Sequence, residues 1–303
     1  MKNFFILIFS ILCVFSFAGC GEKSSGNMKF AASCYPVYIM LLNVIDGVEN
    51  VEATQMSESH SGCFHDFKLQ TSDLKNIESS SAFIINGAGM EIFLDKVLRE
   101  IPNSKIIDSS KGIELLPQEH EHDHEECEDE DCHHEEWNYH IWLSPDNCIK
   151  QVRNIAEGLC AINPKNAEKY KKNADEYINK INDLKALMQE KLINLKGKNV
   201  MSVHGAFSYL AKDLGFNIVG VINPDPDSQP GAKELAEILE LAKKSNLAAI
   251  FTEAQYSDSA AKTVSYAAGT KIYEIDSAVS GDKSKDSYIN AMLHNIKVLE
   301  NIK

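Results

Sequence analysis

Four residues that can ligate a metal ion lie where strand-like segments of this chain end. They are three histidines and one aspartate: His65, His140, His204 and Asp276. They are too far apart for a zinc finger, but their spacing suits a fold in which each strand-and-helix unit delivers one ligand. Three imidazoles and a carboxylate form a borderline-soft set that suits tetrahedral Zn²⁺. Each residue alone is equally compatible with a helix cap or a buried polar group, so spacing leaves both interpretations open.

The segments around these residues alternate between strand and helix patterns in two blocks of the chain. In the first block we predict strands over 28–33, 51–56, 81–87 and 104–109 and helices over 38–45, 90–101 and 144–160. In the second block we predict strands over 199–203, 216–222, 247–253 and 270–276 and helices over 232–244, 258–269 and 287–302. The alternation predicts an α/β protein with two lobes, each built on a parallel sheet, and a cleft between them.

One long helical pattern separates the two blocks. Asn163 and Pro164 favour its start and Gly197 favours its end, and apolar residues recur between them at three- and four-residue steps. Some thirty residues at about 1.5 Å each form a rod of about 45 Å that crosses both lobes. The predicted domains are an N-terminal lobe over 28–162, a linking helix over 163–197 and a C-terminal lobe over 198–303.

The first twenty residues have the features of an export signal. Lys2 precedes an apolar stretch over 4–17 that is too short to span a bilayer, and the segment FAGC ending at Cys20 resembles a bacterial lipobox. We predict a signal peptide over 1–19, a lipidated Cys20 and a tether to residue 27. The alternative is a plain secretory signal in which Cys20 is incidental. Either way, the mature protein is expected to work outside the cytoplasm, and a lipidated Cys20 would anchor it to the bacterial cell membrane.

An acidic run over 119–136 precedes His140 and holds eleven carboxylates, five histidines and two cysteines. It supplies most of the formal net charge of −14, so the rest of the chain offers no basic face for nucleic acid. Charge this dense cannot pack, which predicts a mobile loop. Its candidate ligands for weak, multiple metal binding are His120, His122, His124, Cys127, Cys132, His133 and His134. The alternative is a solvated acidic segment that binds no metal.

The cysteines outside the signal and the acidic run are Cys34, Cys63, Cys148 and Cys160. An export signal permits disulfides, but a chain of this size does not need them, so no pairing is predicted. Cys34 ends the first predicted strand and Cys63 lies two residues before His65, so either thiol could reach the ion. Packing as small, inert residues is the favoured interpretation of both.

Six segments occur in an order that resembles a known family: HDFKLQTSDL, FIINGAGME, HIWLSPDN, HGAFSYLAKDLGF, AIFTEAQYS and IDSAVSGDKSKDSYINAMLHNI. Together they resemble the metal-binding lipoproteins of zinc and manganese ABC importers, the ZnuA-like (TroA-like) family, over essentially the whole mature chain. The resemblance implies two βα lobes joined by one backbone helix, with His65, His140, His204 and Asp276 as the four metal ligands. The segment around His65 departs from the family by lacking the prolines that many members carry nearby.

The resemblance also implies a function and a cargo. It implies a monomer that captures Zn²⁺ and delivers it to a membrane ABC permease, without catalysing a reaction. Zn²⁺ is favoured over Mn²⁺ because manganese-type relatives tend to carry a carboxylate where this chain has His204. The acidic run falls where zinc-type relatives often carry a histidine-rich insertion, so we interpret it as an accessory. Glu253, at another predicted strand end, either orients a ligand imidazole or makes a simple buried polar contact.

Three alternatives to a zinc-uptake protein stay open at this point. They are a manganese-selective member of the same family, a metal-dependent surface adhesin and a secreted zinc hydrolase. The hydrolase is disfavoured because four protein ligands can close the coordination shell and leave no open position for catalysis.

Overall fold

The computed structural model describes residues 27–56, 69–94, 106–118, 137–223 and 229–303. The strands of its first parallel sheet are β1 (Met28–Ala32), β2 (Val51–Gln55), β3 (Ala82–Ile85) and β4 (Ile106–Asp108). Those of its second are β5 (Asn199–Ser202), β6 (Asn217–Val221), β7 (Leu247–Thr252) and β8 (Ile272–Glu274). The strand orders β2-β1-β3-β4 and β6-β5-β7-β8 repeat one topology. The prediction of two α/β lobes with parallel sheets is confirmed.

Eight α-helices lie within the described residues. They are α1 (Tyr35–Val44), α2 (Thr71–Ser79), α3 (Pro145–Ile162), α4 (Ala167–Lys191), α5 (Ser208–Leu214), α6 (Ala232–Lys244), α7 (Ser259–Ala268) and α8 (Ser287–Leu299). The sequence did not predict α2 or α5. Only Asp73 and Ile77 of α2 are buried, so its apolar stripe is too thin to detect, and α5 makes only two turns. In the predicted helix over 90–101, Ile92–Leu94 is a 3₁₀ turn and the residues after Leu94 lie outside the described ranges.

The long helix α4 is shorter than its sequence pattern predicted. Its 25 residues correspond to about 38 Å, because 3₁₀ turns over Pro164–Asn166 and Ile193–Leu195 replace its expected ends. Leu192 and Leu195, which lie beyond the end of the helix, are nevertheless buried. The apolar periodicity of the sequence therefore continues past the helix itself, which is why the predicted helix was too long. Helix α4 packs against α3, α1 and α8, and it therefore contacts helices that belong to both lobes. None of the helices in the described ranges has the length and apolar character needed to cross a bilayer.

Direct contacts also fasten the two lobes to each other. One continuous apolar core runs from Phe30 in the first sheet to Leu299 in α8. Buried hydrogen bonds cross the same boundary: the Trp142 indole donates to the carbonyl of Ser277 over 2.8 Å, and the Tyr288 hydroxyl donates to the carbonyl of Trp142 over 2.9 Å. The lobes are therefore held by a shared interior as well as by the helix that joins them.

In each sheet the connections from two adjacent central strands run toward opposite edges. This switch point lies between β1 and β3 in the first sheet and between β5 and β7 in the second. Ligands of open α/β sheets bind at such points. In the first sheet the carboxyl group of Glu91 fills this position. It accepts hydrogen bonds from the Ser33 hydroxyl (2.6 Å) and from the backbone N–H groups of Asn86 (2.8 Å) and Gly87 (3.0 Å). Burial outweighs these bonds and raises the pKa of Glu91 to about 7.

We expect Glu91 to make the stability of the protein depend on pH. Its folded pKa of about 7 exceeds the ordinary 4.5, so the folded state binds this proton more tightly than the unfolded state does. Its stabilising contribution is complete below about pH 4.5 and is lost as the pH rises to about 7, a change on the order of 3 kcal/mol. Chemical unfolding between about pH 5 and pH 7.5 should show this decline in the wild type and a flatter profile in Glu91→Gln.

The matched control is Glu168→Gln, because the side chain of Glu168 is 93% exposed on α4. This control should keep the pH profile of the wild type. If the unfolding free energy of Glu91→Gln depended on pH as that of the wild type does, Glu91 would not be the group that binds this proton.

Candidate metal centre

His204 lies at the point in the second sheet where the connections diverge. It follows β5 by two residues in an extended conformation and is fully buried. Glu253 directly follows the neighbouring strand β7 and is also buried. Because β5 and β7 are adjacent, their carboxyl ends bring Glu253 Oε2 to 3.1 Å from His204 Nδ1. An ionised carboxylate can only accept, so Nδ1–H of His204 donates this hydrogen bond, and in the neutral ring the lone pair is then on Nε2.

His140 does not follow a strand, contrary to the sequence prediction. It heads the 3₁₀ turn Ile141–Leu143 that leads into α3, and among the described residues just before it Trp137 forms an isolated bridge with Pro117. The residues from Asn138 onward are buried: the N–H of Asn138 donates to the carbonyl of Leu116, and that of His140 donates to the side chain of Asn138. The aromatic and β-branched residues around His140 therefore indicated burial and not membership of a sheet.

The structure brings His140 and His204 together at the lobe boundary. Their ring centroids are 4.8 Å apart, the rings meet edge-on at 79°, and both residues are 0% exposed. Tyr139 (4.4 Å) and Trp142 (5.3 Å) flank the ring of His140, and Tyr256 (5.3 Å) flanks that of His204. Two buried imidazoles from different lobes, confined by aromatic rings, are suited to coordinating one ion.

Asp276 lies two residues beyond β8 and is half-buried. Its backbone N–H donates to Asn295 Oδ1 over 2.7 Å, and its own Oδ1 accepts from the N–H of Ala278 over 2.7 Å. Burial raises the pKa of Asp276; the bond from Ala278 and the nearby His294 oppose the rise, and Glu253 adds to it. Asp276 is thus a partly buried carboxyl group near a second one, and a bound cation would stabilise its ionised form.

Gln255 links Ser277, the residue after Asp276, to the carboxylate that bonds to His204. Its side-chain N–H group donates to Glu253 Oε1 over 2.9 Å and to the hydroxyl of Ser277 over 3.1 Å. The loop that carries Asp276 is thereby joined to the carboxylate that holds His204. The sequence did not predict a role for Gln255 or for Asn138. The signal available for each was its position in the chain, two residues from Glu253 and from His140 respectively.

Other predicted site residues lie outside the described ranges. These are His65, Cys63, Cys20 and the candidate ligands of the acidic run over 119–136. Across the described ranges, no group of three histidine, cysteine or acidic side chains converges closely enough to hold a metal ion. The structure therefore brings His140 and His204 together but does not bring Asp276 into one such group with them.

The described cysteines are free thiols in the structure: Cys34, Cys148 and Cys160. Cys34 is buried in the apolar core at the start of α1. Burial raises its pKa far above the usual value, and the nearby Glu91 adds to the rise. A neutral, enclosed thiol of this kind behaves as a small packing residue.

Known proteins similar to this chain bind zinc. Zinc-binding lipoprotein AdcA of Streptococcus pneumoniae is 32% identical over 99% of this chain, which spans 61% of that relative's length. High-affinity zinc uptake system protein ZnuA of Bacillus subtilis is 28% identical over 95% of this chain and 94% of its own length. The crystal structure of Zn(II)-bound AdcA from Streptococcus pneumoniae matches with a TM-score of 0.74 at 29% identity, covering 91% of this chain and 58% of that one.

The family model described as "Zinc-uptake complex component A periplasmic" matches residues 31–302. That description names a transport component and not an enzyme. Because the match takes in both lobes and the helix between them, the chain belongs to the ZnuA family.

Proposed function

We propose that this protein captures Zn²⁺ outside the cytoplasm and delivers it to the membrane permease of an ABC importer. The observation that carries the proposal is the pair of fully buried histidines, His140 and His204, whose rings lie 4.8 Å apart across the lobe boundary. A ligand shared by two lobes is bound between them and can leave when they separate. Membership of the ZnuA family supports this function.

The proposed ligands are His140, His204, Asp276 and His65. Support for Asp276 comes from its raised pKa, to which Glu253 contributes, and from Gln255, which joins Glu253 to Ser277 beside Asp276. His65 is proposed from the sequence, since it is the remaining member of the motif set. A shell of three imidazoles and one carboxylate favours Zn²⁺ over the harder Mn²⁺, which prefers more oxygen ligands.

Two further features belong to the proposal. The mature protein is anchored through a lipid on Cys20, in keeping with the lipoprotein name of the pneumococcal relative, and works as a monomer. The acidic run over 119–136 gathers metal weakly beside the main site. No nucleic acid takes part, because the chain carries a formal net charge of −14.

His140→Ala and His204→Ala should each weaken tight zinc binding by at least tenfold, about 1.4 kcal/mol. Each change removes one nitrogen from a shell that both lobes must complete. Competition of the purified protein against a chromogenic chelator measures the loss. The control is Tyr266→Ala, since the side chain of Tyr266 is 93% exposed on α7 and is not a proposed ligand. Wild-type competition by both site variants would remove these residues from the metal site.

His204→Glu should lower the affinity for Zn²⁺ and raise the ratio of Mn²⁺ affinity to Zn²⁺ affinity. The change replaces an imidazole by a carboxylate, so the shell becomes richer in oxygen. The new carboxylate would also face Glu253, whose Oε2 lies 3.1 Å from His204 Nδ1, and an added like charge disfavours the empty site. Titration of both proteins with both metals measures the ratio. A zinc preference as strong as that of the wild type would show that residue 204 does not set selectivity.

Replacing residues 119–136 by Asn-Gly should keep the tight zinc site and lower the total zinc stoichiometry. The residues that flank the run already approach each other, because Pro117 bridges Trp137 and the N–H of Asn138 donates to Leu116 over 2.8 Å. A short turn can therefore close the gap. Calorimetric titration separates the tight phase from the weak one, and loss of the tight phase would place the run in the main site.

A companion variant keeps every carboxylate of the run and changes only its histidines and cysteines to serine. It should lose the weak phase as the deletion does, because the imidazoles and thiols are the proposed ligands. Unchanged stoichiometry in both variants would leave the run as a solvated charge segment.

A further inference from the structure

Asn138 connects the two histidines through a single buried amide group. Its Oδ1 lies 3.0 Å from the backbone nitrogen of His140 and 3.0 Å from His140 Nδ1. Its Nδ2 donates to the carbonyl of Gly205 over 2.6 Å and to the hydroxyl of Ser208 over 3.2 Å. Gly205 directly follows His204, so this side chain joins the first histidine to the backbone of the second.

The partners of this amide fix its orientation. A backbone N–H can only donate, so the atom that faces His140 must be the oxygen of Asn138. A carbonyl can only accept, so the atom that faces Gly205 must be the nitrogen. With the oxygen directed at His140, the ring nitrogen Nδ1 must carry the proton. Nε2 of His140 then carries the lone pair, as Nε2 of His204 does beside Glu253.

The second lobe also holds the backbone of Asn138. The hydroxyl of Tyr209, on α5, donates to the carbonyl of Asn138 over 2.7 Å and accepts from the N–H of Leu116 over 3.0 Å. Asn138 is 0% exposed, so these bonds do not compete with water. Both its backbone and its side chain are therefore anchored to the lobe that carries His204.

We propose that Asn138 is a positioning residue that makes the two histidines a preorganised pair. It sets the tautomer of His140 so that the lone pair needed to bind a metal is on Nε2, and its bond to Gly205 ties that ring to the segment of His204. The inference rests on the proposed function, since it assigns Asn138 a part in the same zinc site. It adds a residue that touches no metal but determines how well two ligands bind it.

The partners of the two histidines differ in charge. Glu253 offers His204 a carboxylate, whereas Asn138 offers His140 a neutral amide. A neutral acceptor fixes the tautomer without adding to the charge of Glu253 and Asp276, and its amide nitrogen remains able to hold Gly205. An aspartate at position 138 would keep the acceptor for Nδ1 but would put an oxygen against the Gly205 carbonyl. The two roles of Asn138 can therefore be separated by substitution.

The test compares Asn138→Leu and Asn138→Asp with Asn173→Leu as the matched control. Asn173 is a buried asparagine on α4 whose Nδ2 donates to two carbonyls, those of Val44 (2.9 Å) and Asp46 (2.8 Å), without contact to the histidine pair. It should lose comparable stability on substitution. Two quantities are measured on each purified protein: the tautomer of the histidine rings by ¹⁵N nuclear magnetic resonance without metal, and the zinc affinity by chelator competition.

In the wild type and in Asn173→Leu, His140 should be protonated at Nδ1 and zinc should bind with the same affinity. Asn138→Leu should give a mixture of tautomers and weaken zinc binding by about tenfold or more. Asn138→Asp should keep the Nδ1 proton but still bind zinc more weakly, because its bond to Gly205 is lost. A merely structural role would lower stability in all three variants and leave the tautomer unchanged.

Protonation of His140 at Nε2 in the wild type would overturn the inference, as would wild-type zinc affinity in Asn138→Leu. If Asn138→Leu does not fold, the wild-type tautomer and the affinity of Asn138→Asp still decide the matter. A wild-type protein that binds no zinc tightly would count against the proposed function instead. The tautomer measurement would then stand as a separate result.

Discussion

The approach of two buried histidine rings across the lobe boundary is the constraint on which the rest of this structure depends. His140 and His204 come from different lobes, yet their rings lie 4.8 Å apart and neither is exposed. Buried imidazoles are costly unless their nitrogens are satisfied. Glu253 and Asn138 meet this requirement at Nδ1 of His204 and of His140 respectively.

The contacts around the pair explain how two lobes can hold it at a fixed spacing. A core shared by both lobes and the hydrogen bonds from Trp142 and Tyr288 restrict how far the sheets can move apart. Ion pairs on the surface, such as Lys285 with Asp46 (2.6 Å), cross the same boundary but contribute little because they are solvated. The geometry of the site therefore depends on buried packing and buried hydrogen bonds more than on surface charge.

The sequence predicted the fold well because strand and helix periodicities are local properties of the chain. All eight described strands and the linking helix were anticipated. The helices that were missed are α2, whose apolar stripe is thin, and α5, which makes only two turns. The prediction of the site was less complete. His204 and Glu253 follow strands and could be recognised from that position, whereas His140 follows no strand. Asn138 donates a hydrogen bond to Gly205, which is 67 residues away in the sequence, and no local sequence pattern predicts a contact of that kind.

The most direct test of the account is X-ray absorption at the zinc edge of the protein loaded with one equivalent of Zn²⁺. The account predicts four nitrogen and oxygen neighbours at about 2.0 Å with the outer scattering of three imidazole rings. It predicts no sulfur, because none of the four proposed ligands carries a thiol and Cys34 is enclosed in the apolar core. A sulfur neighbour at about 2.3 Å, or scattering from fewer than two imidazoles, would contradict a site built on the His140 and His204 pair.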